Sequence, residues 1–342
     1  LSEDQVLSVY VDSTGAVWAG TRGGGLSRLE PSTGQWQRFS HDPEQPSVLS
    51  DNTVRAIFEH PTGTLWVGTA GGLDRLDLET GAWLSYVHDP EDPTSLTSCS
   101  ITALNRSGPG HLWVGTAGGL NRFDINVEIS IRYEVRPGRQ QSLSANLVRS
   151  VLEGTPGEVW IGTDAGLDRL DLHAGTVSHY RYDPSDPHSL GASAVRALMQ
   201  DRAGALWVGT YGGGLNRHDP LTEQFAHFRH DPSDDNTLSN NSIWSIHQDP
   251  SGVLWVGTSG GGLNRLGPSL SGWRHYRADP ENPLALSSDS VTDIYRDSSG
   301  ALWLGTQGGG LNRLDPATGL ITRFQSPVSY THLTLPTSWP EW

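Results

Sequence analysis

The chain has 342 residues and a formal charge of −15, with 23 basic residues against 38 acidic ones. Every basic residue is arginine, spread along the whole chain at about three per stretch of fifty among more numerous acids, so no basic stripe is expected for a nucleic acid to follow. Cys99 stands alone and can form no internal disulfide, and no apolar run is long enough to cross a bilayer.

Along the chain one phrase returns seven times: Trp18-Ala-Gly-Thr21, Trp66-Val-Gly-Thr69, Trp113-Val-Gly-Thr116, Trp160-Ile-Gly-Thr163, Trp207-Val-Gly-Thr210, Trp255-Val-Gly-Thr258 and Trp303-Leu-Gly-Thr306. The intervals are 47 or 48 residues. A fixed period in this range means like units stacked on one another. The second unit shows the plan. Val54 to Glu59 reads as a strand, His60-Pro-Thr-Gly63 as a turn, and Leu65 to Thr69 as a second strand; Gly71-Gly72 turns into Leu73 to Leu78, and Thr80-Gly81 into Trp83 to Val87. Four short strands cannot bury both faces alone, and radial closure is how such sheets avoid long exposed edges. The expected fold is all-β: a seven-bladed propeller of four antiparallel strands per blade over residues 1–326, closed without strand exchange.

The repeated positions are expected to be structural. The seven tryptophans would form the layers between blades, the glycine beside each would admit the neighbouring sheet, and the third residue of each first strand is small in six units, Asp293 being the exception. Arg28, Arg75, Arg122, Arg169, Arg217, Arg265 and Arg313 recur at one site per unit, so ion pairing to a neighbouring blade or loop is expected of them. Turns such as Asp12-Ser-Thr-Gly15 resemble fragments of calcium loops but lack the alternating oxygen ligands, and Asx-type turns explain them better. His41, His88 and His230 open similar loops on different blades and read as loop braces. No metal site or cofactor is expected.

Recognition is expected where copies differ on the face bearing the loops between units. After the Thr of the second strand the variable residues are Arg22, Ala70, Ala117, Asp164, Tyr211, Ser259 and Gln307. At the second position of the first strand they are Leu7, Arg55, Thr102, Arg149, Arg196, Trp244 and Thr292. Arg196, Tyr211 and Trp244 belong to adjoining blades and would set an aromatic platform beside a guanidinium, suited to a sugar ring and a carboxylate. Arg149, Arg55, Arg22 and Asp164 complete the candidate ligand-binding set. Hydrolysis would need two facing carboxylates, and Asp164, Asp4 and Asp289 form no recognisable pair.

The unit Asp-x-x-Gly-x-Leu-Trp-Val-Gly-Thr-x-Gly-Gly-Gly-Leu-Asn-Arg-Leu-Asp-Pro resembles the two-component regulator propeller repeat over Leu1 to Ser326, weakening in the third unit, where Asn126 to Gln141 lacks the usual turn and Asp-Pro loop. The resemblance implies the ligand-sensing region, outside the inner membrane, of a hybrid histidine kinase or diguanylate cyclase. It implies a periplasmic or extracellular setting, a small-molecule or oligosaccharide ligand, and pairing of two copies through the full-length receptor. A propeller glycosidase or lyase and a protein-interaction scaffold are the alternatives. The stretch from Val328 to Trp342 matches nothing in the repeat and resembles the translation of a transposase sequencing adapter, so residues 327–342 are expected to be non-native.

Overall fold

The structure, a computed structural model, describes residues 1–44, 48–139 and 141–327. The expectation for residues from Val328 onward lies outside the described residues. Among the described residues twenty-eight strands form seven antiparallel sheets, each of four strands consecutive in the chain. Blade one comprises β1 (Val6–Val11), β2 (Val17–Thr21), β3 (Leu26–Glu30) and β4 (Gln35–Phe39). In blade two the strands are Val54–Glu59, Thr64–Thr69, Leu73–Asp77 and Trp83–Tyr86, each end within one residue of the expectation. The other innermost strands are Ile101–Arg106, Val148–Glu153, Val195–Gln200, Ile243–Gln248 and Val291–Arg296. Each lies beside the next and Val291–Arg296 lies beside β1, so the seven-bladed ring closes without exchange of strands.

The second strand of each blade is buried along its whole Trp-x-Gly-Thr run, because its residues face a neighbouring blade on either side. All seven tryptophans are between 0% and 4% exposed. Trp18 packs on Val54, Leu65 and Val67 of blade two, and Trp303 packs across the closure on Val6, Val9 and Val17. Burial of each such side chain is worth roughly 1.5–3 kcal/mol or more. Glycine beside the Trp is a steric requirement: a Cβ on Gly68 would lie 2.5 Å from Ile101 Cγ2, and one on Gly305 2.9 Å from Val6 Cγ1.

A buried indole N–H needs an acceptor. Trp18 Nε1 donates to Asp12 Oδ2 at 2.7 Å, and Trp207, Trp255 and Trp303 donate in the same way to Asp201, Asp249 and Asp297 at 2.9, 3.1 and 2.9 Å. The other oxygen of Asp12 accepts the N–H groups of Thr14 and Ala16 at 2.9 and 3.0 Å. The Asp-x-x-Gly turns are thus Asx turns, and they also hold the Trp. The recurring arginines meet the expected ion pairing only in part: Arg75, Arg169 and Arg313 pair with acids of a neighbouring blade or turn. Each of the seven is the cross-strand partner of a Trp, and the guanidinium of Arg28, Arg169, Arg217, Arg265 and Arg313 sits 5.6 to 5.9 Å from the indole centre. Ion pairs to an adjacent blade are made by Arg75 with Glu128 at 3.5 Å and Arg169 with Glu223 at 3.0 Å. The role shared by the five that sit beside indoles is to cover the indole face.

The loops between blades repeat their own contacts. A leucine, from Leu1 and Leu49 to Leu238 and Leu286, is buried in each. The N–H of the following residue meets a buried polar side chain on the third strand, as in Thr97 to Asn121 Oδ1 at 2.9 Å and Ser239 to Asn264 Oδ1 at 2.9 Å. The first N–H of the loop meets a side chain eleven positions on: His41 to Asn52 at 2.7 Å, His230 to Asn241 at 2.8 Å, Ala278 to Asp289 at 2.7 Å. After blade seven the same bond runs from Ser326 N–H to Asp4 Oδ1 at 2.6 Å, so the first residues of the chain finish the last loop. His41, His88 and His230 place Nδ1 at 2.7, 2.6 and 2.7 Å from the carbonyls of Leu49, Leu96 and Leu238, the expected bracing.

The third blade keeps its outer strand, Ile129–Tyr133, despite the altered sequence. Its turn closes through Glu128 at φ 61°, where blade one has Gly34 at φ 69°. The Glu128 carboxylate accepts the Tyr86 hydroxyl of blade two at 2.7 Å beside Arg75, a contact that offsets the left-handed backbone.

Candidate functional site

The pairing of first and second strands slips by one residue at the same place in every blade. Val6 lies opposite Thr21 and Ser8 opposite Gly20, leaving Leu7 without a partner. The other six blades leave out Arg55, Thr102, Arg149, Arg196, Trp244 and Thr292. A bulge releases one residue from the ladder and re-aims its side chain. Here all seven aim into the mouth of the central channel, where with Arg22 and Thr53 they line a cavity of 540 Å³. Arg22 comes from the turn after β2 and Thr53 from the loop before blade two, so that loop and that turn do open on one face, as expected.

The mouth is electrically lopsided. Arg22, Arg55, Arg149 and Arg196 line it from blades one, two, four and five, whereas blades six, seven and one bring Trp244, Thr292 and Leu7. Arg149 is held by Asp164 through two parallel bonds, Nε to Oδ1 and Nη2 to Oδ2, both 3.0 Å. The bond from Arg149 holds the Asp164 carboxyl below its ordinary range. Arg55 donates through Nη1 to Ser100 Oγ at 3.0 Å. Arg196 lies 5.5 Å from the Tyr211 ring centre, and its Nε is buried without a hydrogen-bond partner among the described residues. Burial lowers the affinity of Arg196 and Arg55 for their protons, and neighbouring arginines lower it further: Arg149 acts on Arg196, Arg22 and Arg149 on Arg55, while Asp164 and Tyr211 at Arg196 and Asp51 at Arg55 work in the opposite sense.

Of the candidate residues, the structure brings Arg22, Arg55, Arg149, Arg196 and Trp244 together in the lining. Asp164 stands behind Arg149. Tyr211, 53% exposed, does not belong to the lining, and its ring lies against Arg196. The bulge itself was not read from the sequence; its trace is a variable residue between an invariantly apolar and a small one, as in Val195-Arg196-Ala197. Thr53 was also missed, because only its place in the loop, not its type, marks it.

No carboxylate belongs to the lining. Asp4 and Asp289 accept loop N–H groups from Ser326 and Ala278. Ser144, Asp168 and His179 cluster elsewhere, but the serine hydroxyl and the carboxylate approach the same nitrogen, His179 Nδ1, at 3.0 and 2.7 Å. A general base needs one nitrogen for each partner. Fully buried Asp168 occupies the position of Asn121 and Asn264 and also takes the Ser144 N–H at 2.7 Å, so the cluster braces a loop. Among the described residues no group of His, Cys, Asp or Glu is placed to hold a metal ion, and no helix is long and apolar enough to cross a membrane.

Comparison with known proteins agrees with this geometry. The two component regulator propeller family model matches residues 48–71, 189–212, 237–260 and 285–308, each time a loop and the two strands after it. The extracellular domain of the hybrid two component system BT3049 from B. thetaiotaomicron is 26% identical, with a TM-score of 0.79 over 92% of this chain. This chain spans 40% of the length of that one. Streptogramin B lyase, 16% identical, shares the fold with a TM-score of 0.67 over 92% of this chain and 94% of its own. No match was found among curated proteins. Four units match the two component regulator propeller model, and the three others are built on the same strands, bulges and loop contacts, so the whole ring is similar to an array of such repeats.

Proposed function

We propose that this ring is an extracytoplasmic sensing part of a two-component or related signalling receptor, and that it binds a small molecule, a carbohydrate by preference, at the channel mouth. The observation that carries the reading is the likeness, along 92% of the chain, to the extracellular domain of a hybrid two component system. The mouth supports it: a cavity of 540 Å³ lined by Trp244 and four arginines offers stacking and paired hydrogen bonds, the two contacts a sugar acid uses. On this reading the ring binds without turnover, the signalling output belongs to other parts of a longer receptor, and copies pair through that receptor. Residues 1–326 are the sensing ring and 327–342 a non-native extension, which resequencing of the locus tests.

Purified ring is to be screened against an oligosaccharide panel, following melting temperature and product release together. A rise in melting temperature without product supports sensing; product release makes it an enzyme. For a neutral sugar that binds, Trp244→Ala is expected to weaken affinity, and unchanged affinity moves the site away from the mouth.

A further inference from the structure

We infer that the channel mouth is a receptor for a multiply charged anion, with Asp164 as a built-in counter-ion that holds Arg149 back from the ligand. The inference rests on the reading that ligand binds at the mouth, and adds its chemical class. Four guanidinium groups converge on one cavity in a protein of charge −15. Like charges gathered so closely oppose folding unless anions meet them. Among the described residues one acid, Asp164, is a bidentate partner: it binds Arg149, and its charge also acts on Arg196 without a bond to it. Asp51, which lies near Arg55, is engaged by the Thr53 N–H at 2.6 Å. Arg55 keeps nitrogens beyond its bond to Ser100, Arg196 has a flat face on Tyr211 and no acid bound to it, and Arg22 is exposed at the rim.

These three are spread over blades one, two and five, so a single carboxylate cannot meet them together. A ligand bearing several sulfate, phosphate or carboxylate groups across a ring can. Trp244, on the uncharged side, would then take the ligand's apolar face. Asp164 is the one acid at its position among Arg22, Ala70, Ala117, Tyr211, Ser259 and Gln307. It subtracts a charge from the mouth and raises the demand on any ligand that is to bind Arg149 as well.

Sucrose octasulfate serves as the probe, with sucrose as its neutral counterpart, by titration calorimetry at two chloride concentrations on the intact chain. Expected are one site per chain, weaker binding at higher chloride, and at least tenfold loss in an Arg22→Gln/Arg55→Gln double variant. Asp164→Asn, which keeps size and shape, is expected to tighten binding about three- to tenfold. Arg149→Gln should change little in the parent but cancel that gain in the Asp164→Asn background, a coupling that a merely structural Asp164 would not produce. Unchanged or weaker binding in Asp164→Asn, unchanged binding in the double arginine variant, or no binding of the polyanion overturns the inference. If neutral sugars from the panel bind in a Trp244-dependent way while the polyanion does not, the inference falls and the sensing reading stands. Melting curves of each variant confirm the ring is intact.

Discussion

The layers between blades and the ring of bulges lie on paired neighbouring strands of the same blades, yet they obey opposite rules. In the layers every copy is alike: Trp, then an aliphatic or alanine, then Gly, buried to within 4% of complete exclusion. At the bulges the seven copies use Leu, Arg, Thr and Trp. Symmetry is what closes a ring, because each interface must rotate the next blade by the same amount. A ligand without sevenfold symmetry can be recognised only where the copies disagree. The bulge makes both possible, since a residue released from the ladder can vary without disturbing the pairing on either side.

The largest expected effect breaks a layer. Trp160→Ala, which opens a hole between blades four and five beside Leu190, Val195 and Phe225, is expected to cost about 3–5 kcal/mol in denaturant unfolding. Trp244→Ala at the neighbouring bulge should cost under about 1 kcal/mol while weakening ligand binding. Similar losses at the two sites would abolish the distinction between layer and bulge.

Asp293 sharpens the comparison, because it puts an acid at a layer position that is otherwise Ser or Ala. It is half-buried, accepts the Val9 N–H across the closure at 2.8 Å, and desolvation among the packed inner strands pushes its pKa up to about 6. A carboxyl with a raised native pKa adds stability that is complete below its unfolded value near 4 and is lost as pH rises through about 6. Asp293→Ser removes that dependence. Relative to the parent, the variant should therefore gain about 2–4 kcal/mol between pH 4 and pH 8, since each pH unit separating the folded and unfolded pKa is worth about 1.36 kcal/mol. Acids such as Asp249 and Asp297, held low by their turn and Trp partners, titrate in both proteins and cancel in the difference. A flat difference across this range would mean that the carboxyl is solvated.

The smallest effect is at the rim. Glu223, at φ 59°, meets Tyr180 and Arg169 of the preceding blade. Glu223→Gly trades those contacts for a relaxed backbone, and the change in stability should stay within about 1 kcal/mol. A larger loss would show that inter-blade ion pairs at the rim rival the buried layers.

The fold was legible because its determinants are repeated: seven Trp-x-Gly-Thr strands and their turns define blade, register and count without any reference to neighbours. The mouth was legible in part, since variable positions can be found by aligning the copies with one another. What escaped was pairwise. Nothing in the sequence says that Arg149 and Asp164 meet, or that five of the strand-three arginines cover indoles, because both follow from side-chain reach across a ladder. Glu128 and Glu223 escaped for a related reason: a left-handed turn position predicts glycine, and only the tyrosine and arginine of the preceding blade explain the acid.

The bond from Ser326 to Asp4, with Leu1 in the pocket that Leu49 and Leu286 fill elsewhere, means that the chain's numbering and the ring's own frame are out of phase. The natural unit is a loop plus the blade that follows it, the same frame in which the family model matches. Seen from inside the ring, Ser326 and Leu1 are the two ends of one more loop, separated by the positions that residues 42–48 take in the first. Joining them through a linker of that length and cutting another loop would relabel the molecule without changing a single seam, and such circular permutants should assemble the same seven blades and the same mouth.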